Sequence, residues 1–225
     1  DPDRLDTVLH RGNISTWNRF VADIAKAMEA VNGVGGAGLH VLTETVTSPT
    51  LAAQLNALIA AHPEAKWHQW EPAGRDNVRA GAQLAFGEYV DTVYDFSKAD
   101  VVLSLDANFL TEGPGHVRYA MDFAAARDVD ATRNRMSRLY VAESSPTLTG
   151  AKADHALTLR YCDIETLARL VAKALGVPGF ESTANPGINV PETWVAAVAA
   201  DLVAHKGRSV VLAGDHQAPA VHAVV

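Results

Sequence analysis

The chain has 225 residues, of which 48% are hydrophobic and 20% are charged, and its net charge is −7. This composition is sufficient for the core of one large domain or two lobes, and it excludes a disordered chain. Charges of both signs are interspersed without a basic stripe, so we expect no nucleic-acid partner. Apolar runs are short and interrupted, so we expect no membrane span, and no signal peptide is visible.

Apolar residues recur along the sequence with the spacings of helices and strands in alternation. Thr16 or Ser15 is the expected N-cap of the first helix, and Ser48-Pro49 begins the second. The predicted elements are, in chain order, a helix over 17–31, a strand over 39–43, a helix over 49–61, a strand over 65–70, a helix over 74–89, a strand over 100–105, a helix over 115–127, strands over 138–142 and 155–159, helices over 164–175 and 191–205, a strand over 209–214 and a helix from 218.

This alternation predicts an α/β fold that is doubly wound, with mostly parallel sheets, flanking helices and right-handed crossovers, as in Rossmann-like proteins. The segment 178–190 is rich in Gly, Pro, Asn and Ser, which predicts an exposed connection. We therefore expect one α/β domain over 1–177 and the start of a further lobe over 191–225. Because the last predicted helix is short, we expect this lobe to be truncated and the chain to be part of a longer protein.

In an open parallel sheet, ligands bind beyond the carboxyl ends of the strands. Asp106 and Asn108 follow the strand over 100–105, and Glu112 comes shortly before the next helix. Asn108 and Glu112 could hydrogen-bond a ligand. The alternative is that Asp106 and Asn108 only form the hydrogen bonds of a turn.

Hydroxyl side chains follow the strand over 138–142, among them Ser145, Thr147 and Thr149. They suit a phosphate or a ribose, and they also suit an ordinary capped loop. No arginine lies in this loop, which argues against a highly anionic ligand.

Two glycine-containing stretches lie at different kinds of junction. One lies between a strand and the helix that follows it, and the other lies between a helix and the strand that follows it. Gly214 lies between a strand and a helix, the order of a phosphate-binding turn, and permits close backbone approach. Asp215 and His216 next to it could form an acid/base pair, although roles in the turn and the helix cap also explain them. The run over 33–38 follows a helix and opens a strand, so we do not expect it to bind phosphate.

Cys162 is the single cysteine, which excludes an intrachain disulfide and an iron–sulfur cluster held by this chain alone. We expect it to be a small packed residue. The nine histidines show no metal-ligand spacing, so no metal site and no catalytic residue are predicted. Trp67, His68 and Trp70 lie on one predicted strand and are expected to be packing residues.

Several stretches resemble the molybdopterin oxidoreductases, a family in which the corresponding loops hold a guanine-dinucleotide form of the pterin. These stretches are Asp100–Asn108, Leu139–Glu143 and Thr147–Leu159. From about residue 13 onward, the chain also resembles the molybdopterin-like half of the iron–sulfur subunit of alternative complex III, a bacterial quinol:electron-acceptor oxidoreductase. That resemblance runs through Leu39–Glu44, Ser48–Thr50, Lys66–Pro72 and Ala213–Gln217.

The sequence departs from the wider family at three places. The family's Asp-Pro-Arg is Glu143-Ser144-Ser145 here, its Gly-Ser is Asp106-Ala107, and its Pro-Gly-Thr-Asp is replaced by 161–164. A pyrophosphate beside Glu143 and Asp106, without the arginine, would be electrostatically disfavoured. The resemblance therefore implies a domain that has lost its cofactor. Its vestigial cofactor-binding positions are Asn108, Ser145, Thr147, Thr149 and Gly214.

The resemblance implies a cofactor-free scaffold in a membrane-associated, quinol-oxidising electron-transfer complex, and it leaves open whether the chain is itself an enzyme. The implied partners are the other subunits and a C-terminal iron–sulfur half of the same protein, which would hold the clusters. The implied location is peripheral to the bacterial cytoplasmic membrane, on the periplasmic side. Two alternatives remain: an active molybdenum or tungsten bis-pterin oxidoreductase with molybdopterin guanine dinucleotide, and a small-ligand or nucleotide-binding α/β domain.

Overall fold

The computed structural model describes residues 4–130 and 136–225. The chain forms two compact units, one ending at Pro72 and the other beginning at Ala73. The helices and strands are β1 (Leu9–His10), β2 (Asn13–Ile14), α1 (Trp17–Asn32), β3 (His40–Thr43), α2 (Pro49–Ala61), β4 (Lys66–Gln69), α3 (Asp76–Phe86), β5 (Val101–Leu105), α4 (His116–Ala126), β6 (Arg138–Glu143), β7 (His155–Thr158), α5 (Ile164–Ala174), α6 (Glu192–Ala204), β8 (Ser209–Ala213) and α7 (Pro219–Val224).

The first unit contains α1, α2 and the parallel pair β3–β4 at their predicted positions. The hydroxyls of Thr16 and Ser48 cap the two helices by accepting the backbone N–H of the third residue beyond, each at 3.3 Å. The antiparallel hairpin β1–β2 was not predicted. Its two turn residues, Arg11 and Gly12, both have positive φ, and arginine is an unusual residue at such a position.

The second unit is built on four parallel strands in the order β7-β6-β5-β8. All five residues of β5 are buried because helices cover both faces of the sheet. Leu103 packs in the core on the side of α5 and α6, and Val102 packs on the opposite side with Phe123 of α4. The doubly wound α/β fold predicted from the sequence is thus confirmed.

The strand order determines where a ligand crevice lies. From β5 the chain moves to β6 and then β7 on one side, and it returns to the other side of β5 with β8. The direction of winding therefore reverses between β5 and β8, and the carboxyl ends of these two strands flank the crevice.

The compact units do not follow the boundaries drawn from the sequence at 177 and 190. Residues 191–225, expected to begin a further lobe, supply β8 to the sheet of the second unit. The connection over 178–190 is largely exposed, as predicted, but Ile188 and Val190 are buried in the core and anchor it. Composition alone does not distinguish such an anchored loop from a boundary between lobes.

Four local expectations were wrong. The helix predicted over 74–89 ends at Phe86, because Gly87 adopts a left-handed conformation with φ of 76°. Cys162 is exposed, in the short turn after β7, and is not packed. His68 and Trp70 are also exposed, because the small β3–β4 sheet leaves part of its surface uncovered.

None of the helices within the described ranges combines the length and the apolar character needed to cross a lipid bilayer.

A bidentate ion pair joins the end of α4 to the segment before β7. The Arg127 guanidinium donates to both carboxylate oxygens of Asp154 at 2.7 and 2.8 Å, and Asp154 also accepts the backbone N–H of Leu139 at 2.8 Å. Both side chains are about four-fifths buried. The hydrogen bonds from Arg127 hold the pKa of Asp154 below its usual value.

We expect Asp154→Asn to lower the free energy of unfolding at pH 7 by about 2 kcal/mol, because charge-assisted hydrogen bonds are lost. A depressed carboxyl pKa stabilises the fold above the unfolded value of about 4, and this stabilisation is lost as the pH falls through the folded pKa. Urea unfolding at pH 7 and near pH 3 should therefore show a difference between wild type and variant that shrinks in acid. The control is Asp122→Asn, which breaks the more exposed ion pair with Arg118. It should lower the free energy of unfolding by less than about 0.5 kcal/mol.

Candidate functional site

A cleft of about 440 Å³ lies beyond the carboxyl ends of β5 and β8, at the reversal of the winding. Residues after both strands line one side of it, and residues of α3 and of the segment between α3 and β5 line the other. Its polar lining includes Arg75, Asp106, Asn108, Glu112, Asp215, His216 and His222. The aromatic lining residues are Phe86, Tyr94, Phe109 and Tyr119.

The carboxylate of Asp106 is the centre of a hydrogen-bond network at this sheet edge. It accepts hydrogen bonds from the Ser144 backbone N–H at 2.8 Å, from the Gln217 side-chain amide at 2.9 Å and from His216 Nε2 at 3.0 Å. The Ser144 hydroxyl adds a contact at 3.1 Å. Asp106 is 9% exposed and has a φ of 57°, an uncommon conformation for a residue other than glycine. One buried carboxylate thus ties together the chain segments that follow β5, β6 and β8.

Gly214 is required by the close approach of the backbone beside Asp106. A Cβ atom at this position would lie 2.1 Å from the Asp106 carbonyl oxygen and 2.9 Å from Cε1 of His216. The Gly214 N–H donates to the carbonyl of Leu105 at 2.9 Å and extends the β5–β8 ladder by one step. The close backbone approach inferred at Gly214 from the sequence is therefore present.

Asp215 and His216 do not form the acid/base pair that was considered from the sequence. His216 binds Asp106 instead, and its ring stacks on Tyr161 with a centroid distance of 5.6 Å. Asp215 Oδ2 lies 3.1 Å from Arg75 Nε, as an ion pair whose N–H does not point directly at the oxygen. Neither residue caps the following helix, whose N-cap is Ala218. The carboxylate that orients the imidazole is Asp106, 110 positions earlier in the chain.

Asn108 and Thr149 join the segments after β5 and β6. Asn108 Oδ1 accepts from the Thr149 hydroxyl at 3.0 Å, and its amide donates to Glu112 at 2.8 Å. Thr149 Oγ1 in turn accepts the backbone N–H of Leu110 at 3.3 Å. Both side chains are thereby occupied by contacts within the protein.

Glu143 dominates the loop after β6. The Thr147 hydroxyl donates to its carboxylate at 2.7 Å and accepts the Gly150 N–H at 3.0 Å. The carboxylate lies so close over Gly150 that a Cβ atom there would be 1.8 Å from Oε1 of Glu143. Ser145, between these residues, is exposed.

The structure therefore separates the five positions predicted from the sequence. Asn108 and Gly214 line the cleft, whereas Ser145, Thr147 and Thr149 belong to the loop after β6 and are not among its lining residues. Sequence reasoning missed Arg75, Tyr94 and Tyr119, which carry no motif and reach the cleft only through the fold. Asp106 did have a signal, because it is the first residue after a buried strand at the carboxyl edge of a sheet.

The cleft is acidic on its polar side. Among the described residues that line it, Arg75 is the only lysine or arginine, and it is paired with Asp215 and, at 3.6 Å, with Asp91. Burial raises the pKa of Tyr94 and lowers the pKa of His222, which also lines the cleft. Both groups are therefore held in their neutral forms at neutral pH.

No family model and no curated protein matches this sequence. Acetylene hydratase from Pelobacter acetylenicus is similar in structure, with a TM-score of 0.60 and 16% sequence identity over 94% of this chain. The chain spans 32% of the length of that protein. At this identity the similarity shows the fold alone.

We expect Gly214→Ala to destabilise the second unit by about 2 kcal/mol, because the added methyl group must displace the backbone of Asp106. Chemical denaturation of the variant and the wild type measures this difference. Gly33→Ala is the control, since Gly33 has a helical φ of −62° and an added Cβ would meet nothing closer than 3.7 Å. Equal stability of Gly214→Ala and wild type would contradict the close approach.

Proposed function

We propose that this chain is a cofactor-free, molybdopterin-enzyme-like scaffold of a membrane-associated, quinol-oxidising electron-transfer complex. The observation that carries the proposal is the chemistry of the strand ends. Where an anionic dinucleotide would need donors and positive charge, Asp106 and Glu143 present carboxylates that are held by the protein's own hydrogen bonds.

The residues at these strand ends do not fit a pterin dinucleotide. A phosphate charge about 4 Å from a carboxylate near a protein surface costs about 4 kcal/mol in repulsion. Such a ligand would meet the carboxylates of Asp106, Glu112 and Asp215 in the cleft, with one guanidinium that is already paired. Asn108, Thr147 and Thr149, the predicted vestigial contacts, already hydrogen-bond within the protein.

The proposed partners are the other subunits of the complex and a C-terminal iron–sulfur half of the same protein, which would carry the clusters. Helix α1 supports a role in assembly, because none of its 16 residues is buried. Its apolar stripe includes Trp17, 69% exposed, and Val21, 61% exposed. An exposed apolar stripe of this kind is typical of a surface that packs against another part of an assembly. The proposed location, peripheral on the periplasmic side of the cytoplasmic membrane, rests on the sequence resemblance.

The scaffold proposal predicts that the full-length protein containing this chain carries neither molybdenum nor tungsten and no pterin. We would purify it from its native host and measure both metals by elemental analysis and pterin by fluorescence after oxidation. A molybdopterin enzyme purified in parallel from the same cells is the control for cofactor supply and recovery. About one metal and two pterins per chain would refute the scaffold and favour an active bis-pterin oxidoreductase.

The assembly part of the proposal has a separate test. Membranes of the native host, solubilised in mild detergent and separated on a native gel, should show the full-length protein migrating with iron and with quinol-oxidising activity. Migration of the protein alone, away from that activity, would contradict membership in such a complex and would leave the cofactor result unaffected.

A further inference from the structure

The pair formed by Asp106 and His216 has the features of a built functional site. The carboxylate side chain is 6% exposed, and the imidazole side chain is 56% exposed. Because the Asp106 carboxylate is an acceptor, Nε2 is the donor nitrogen of this bond, and in the neutral imidazole Nδ1 then holds a free lone pair. No described residue donates a hydrogen bond to Nδ1, so the imidazole is an oriented acceptor at the margin of the cleft.

Two backbone features hold this pair in place. Asp106 has a positive φ, and the backbone of Gly214 touches it at a distance that only glycine permits. An uncommon conformation such as that of Asp106 persists where the surrounding structure over-determines it, and such conformations are concentrated at binding and catalytic sites.

The lining of the cleft defines the chemistry of a ligand. Its aromatic part includes Tyr94, Phe109 and Tyr119, which suits an apolar or aromatic body. Its polar part includes Glu112, whose second carboxylate oxygen has no partner among the described residues, and His216. Anions are disfavoured there, whereas a hydroxyl or ammonium group can donate to either acceptor.

We propose that this cleft binds a small neutral or cationic molecule with an aromatic or apolar body, whose hydroxyl or amine group donates a hydrogen bond to Nδ1 of His216. This ligand class differs in charge from a pterin dinucleotide. The inference goes beyond the scaffold function and does not depend on it, since a domain without a pterin can still have a crevice that accepts another ligand.

Three probes of one shape and different charge test the proposal: benzylamine, benzyl alcohol and benzoate. Binding is followed at pH 7.5 by NMR titration of the chain, with the histidine ring nitrogens and the tyrosine rings as reporters. We expect saturable binding of benzylamine and benzyl alcohol with Kd on the order of 1 mM, the affinity of a fragment-sized ligand. Shifts should concentrate at His216, Tyr94 and Tyr119, and benzoate should bind at least about tenfold more weakly.

Two variants test the named acceptors. His216→Gln should lower the affinity for benzyl alcohol by about fivefold to tenfold, because the oriented lone pair is lost. Glu112→Gln should reduce the preference for benzylamine over benzoate by a similar factor, while its remaining carbonyl can still accept from Asn108. His155→Gln, an exposed histidine on β7, is the matched control and should change neither affinity. Circular dichroism confirms that each variant is folded.

Three results would overturn the inference: no saturable shift in the cleft with the amine or the alcohol, benzoate binding as tightly as benzylamine, or unchanged affinities in His216→Gln. Guanosine diphosphate is added as a fourth probe, and binding tighter than that of benzylamine would also refute the proposed ligand class. These results are independent of the metal and pterin content of the full-length protein. Failure of either proposal can therefore be recognised separately.

Discussion

The carboxylate of Asp106 connects three strand ends that the chain supplies at widely separated points. It receives donors from Ser144 after β6 and from His216 and Gln217 after β8, while its own backbone continues β5. A buried carboxylate that lost these donors would cost several kcal/mol, so the loops must stay in register with it. The shape of the crevice and the orientation of the imidazole both follow from this one side chain.

This network depends in turn on the burial of the central strand. The five residues of β5 are covered on both faces, and its neighbours β6 and β8 are aligned so that Leu105 lies opposite Ala142 and Ala213. With the three carboxyl ends level, the next residue of each strand reaches the same edge of the sheet. The burial of β5 therefore both makes the sheet rigid and positions the residues at its carboxyl edge. A role as a scaffold and a ligand site at this edge are compatible.

The sequence predicted the fold well because its signals are local. Helix caps such as Ser48, the mostly apolar run of β5 and the alternation of elements are each signals within short stretches of sequence. The candidate site was predicted only in part, because its contacts are not local. The bond between Asp106 and His216 spans 110 positions, and Arg75 reaches Asp215 across a similar distance. Adjacency in sequence wrongly suggested that Asp215 was the partner of His216.

The crevice combines the geometry of a ligand-binding site with an acidic side chain at its edge. The strand ends, the switch point and the glycine at the β8 turn are those expected of a ligand crevice in a doubly wound sheet. Asp106 nevertheless places a buried negative charge at its edge, and this carboxylate receives hydrogen bonds from Ser144, His216 and Gln217. Because Asp106 has several donors of its own and orients the exposed imidazole of His216, the crevice fits the ligand site that we propose for it.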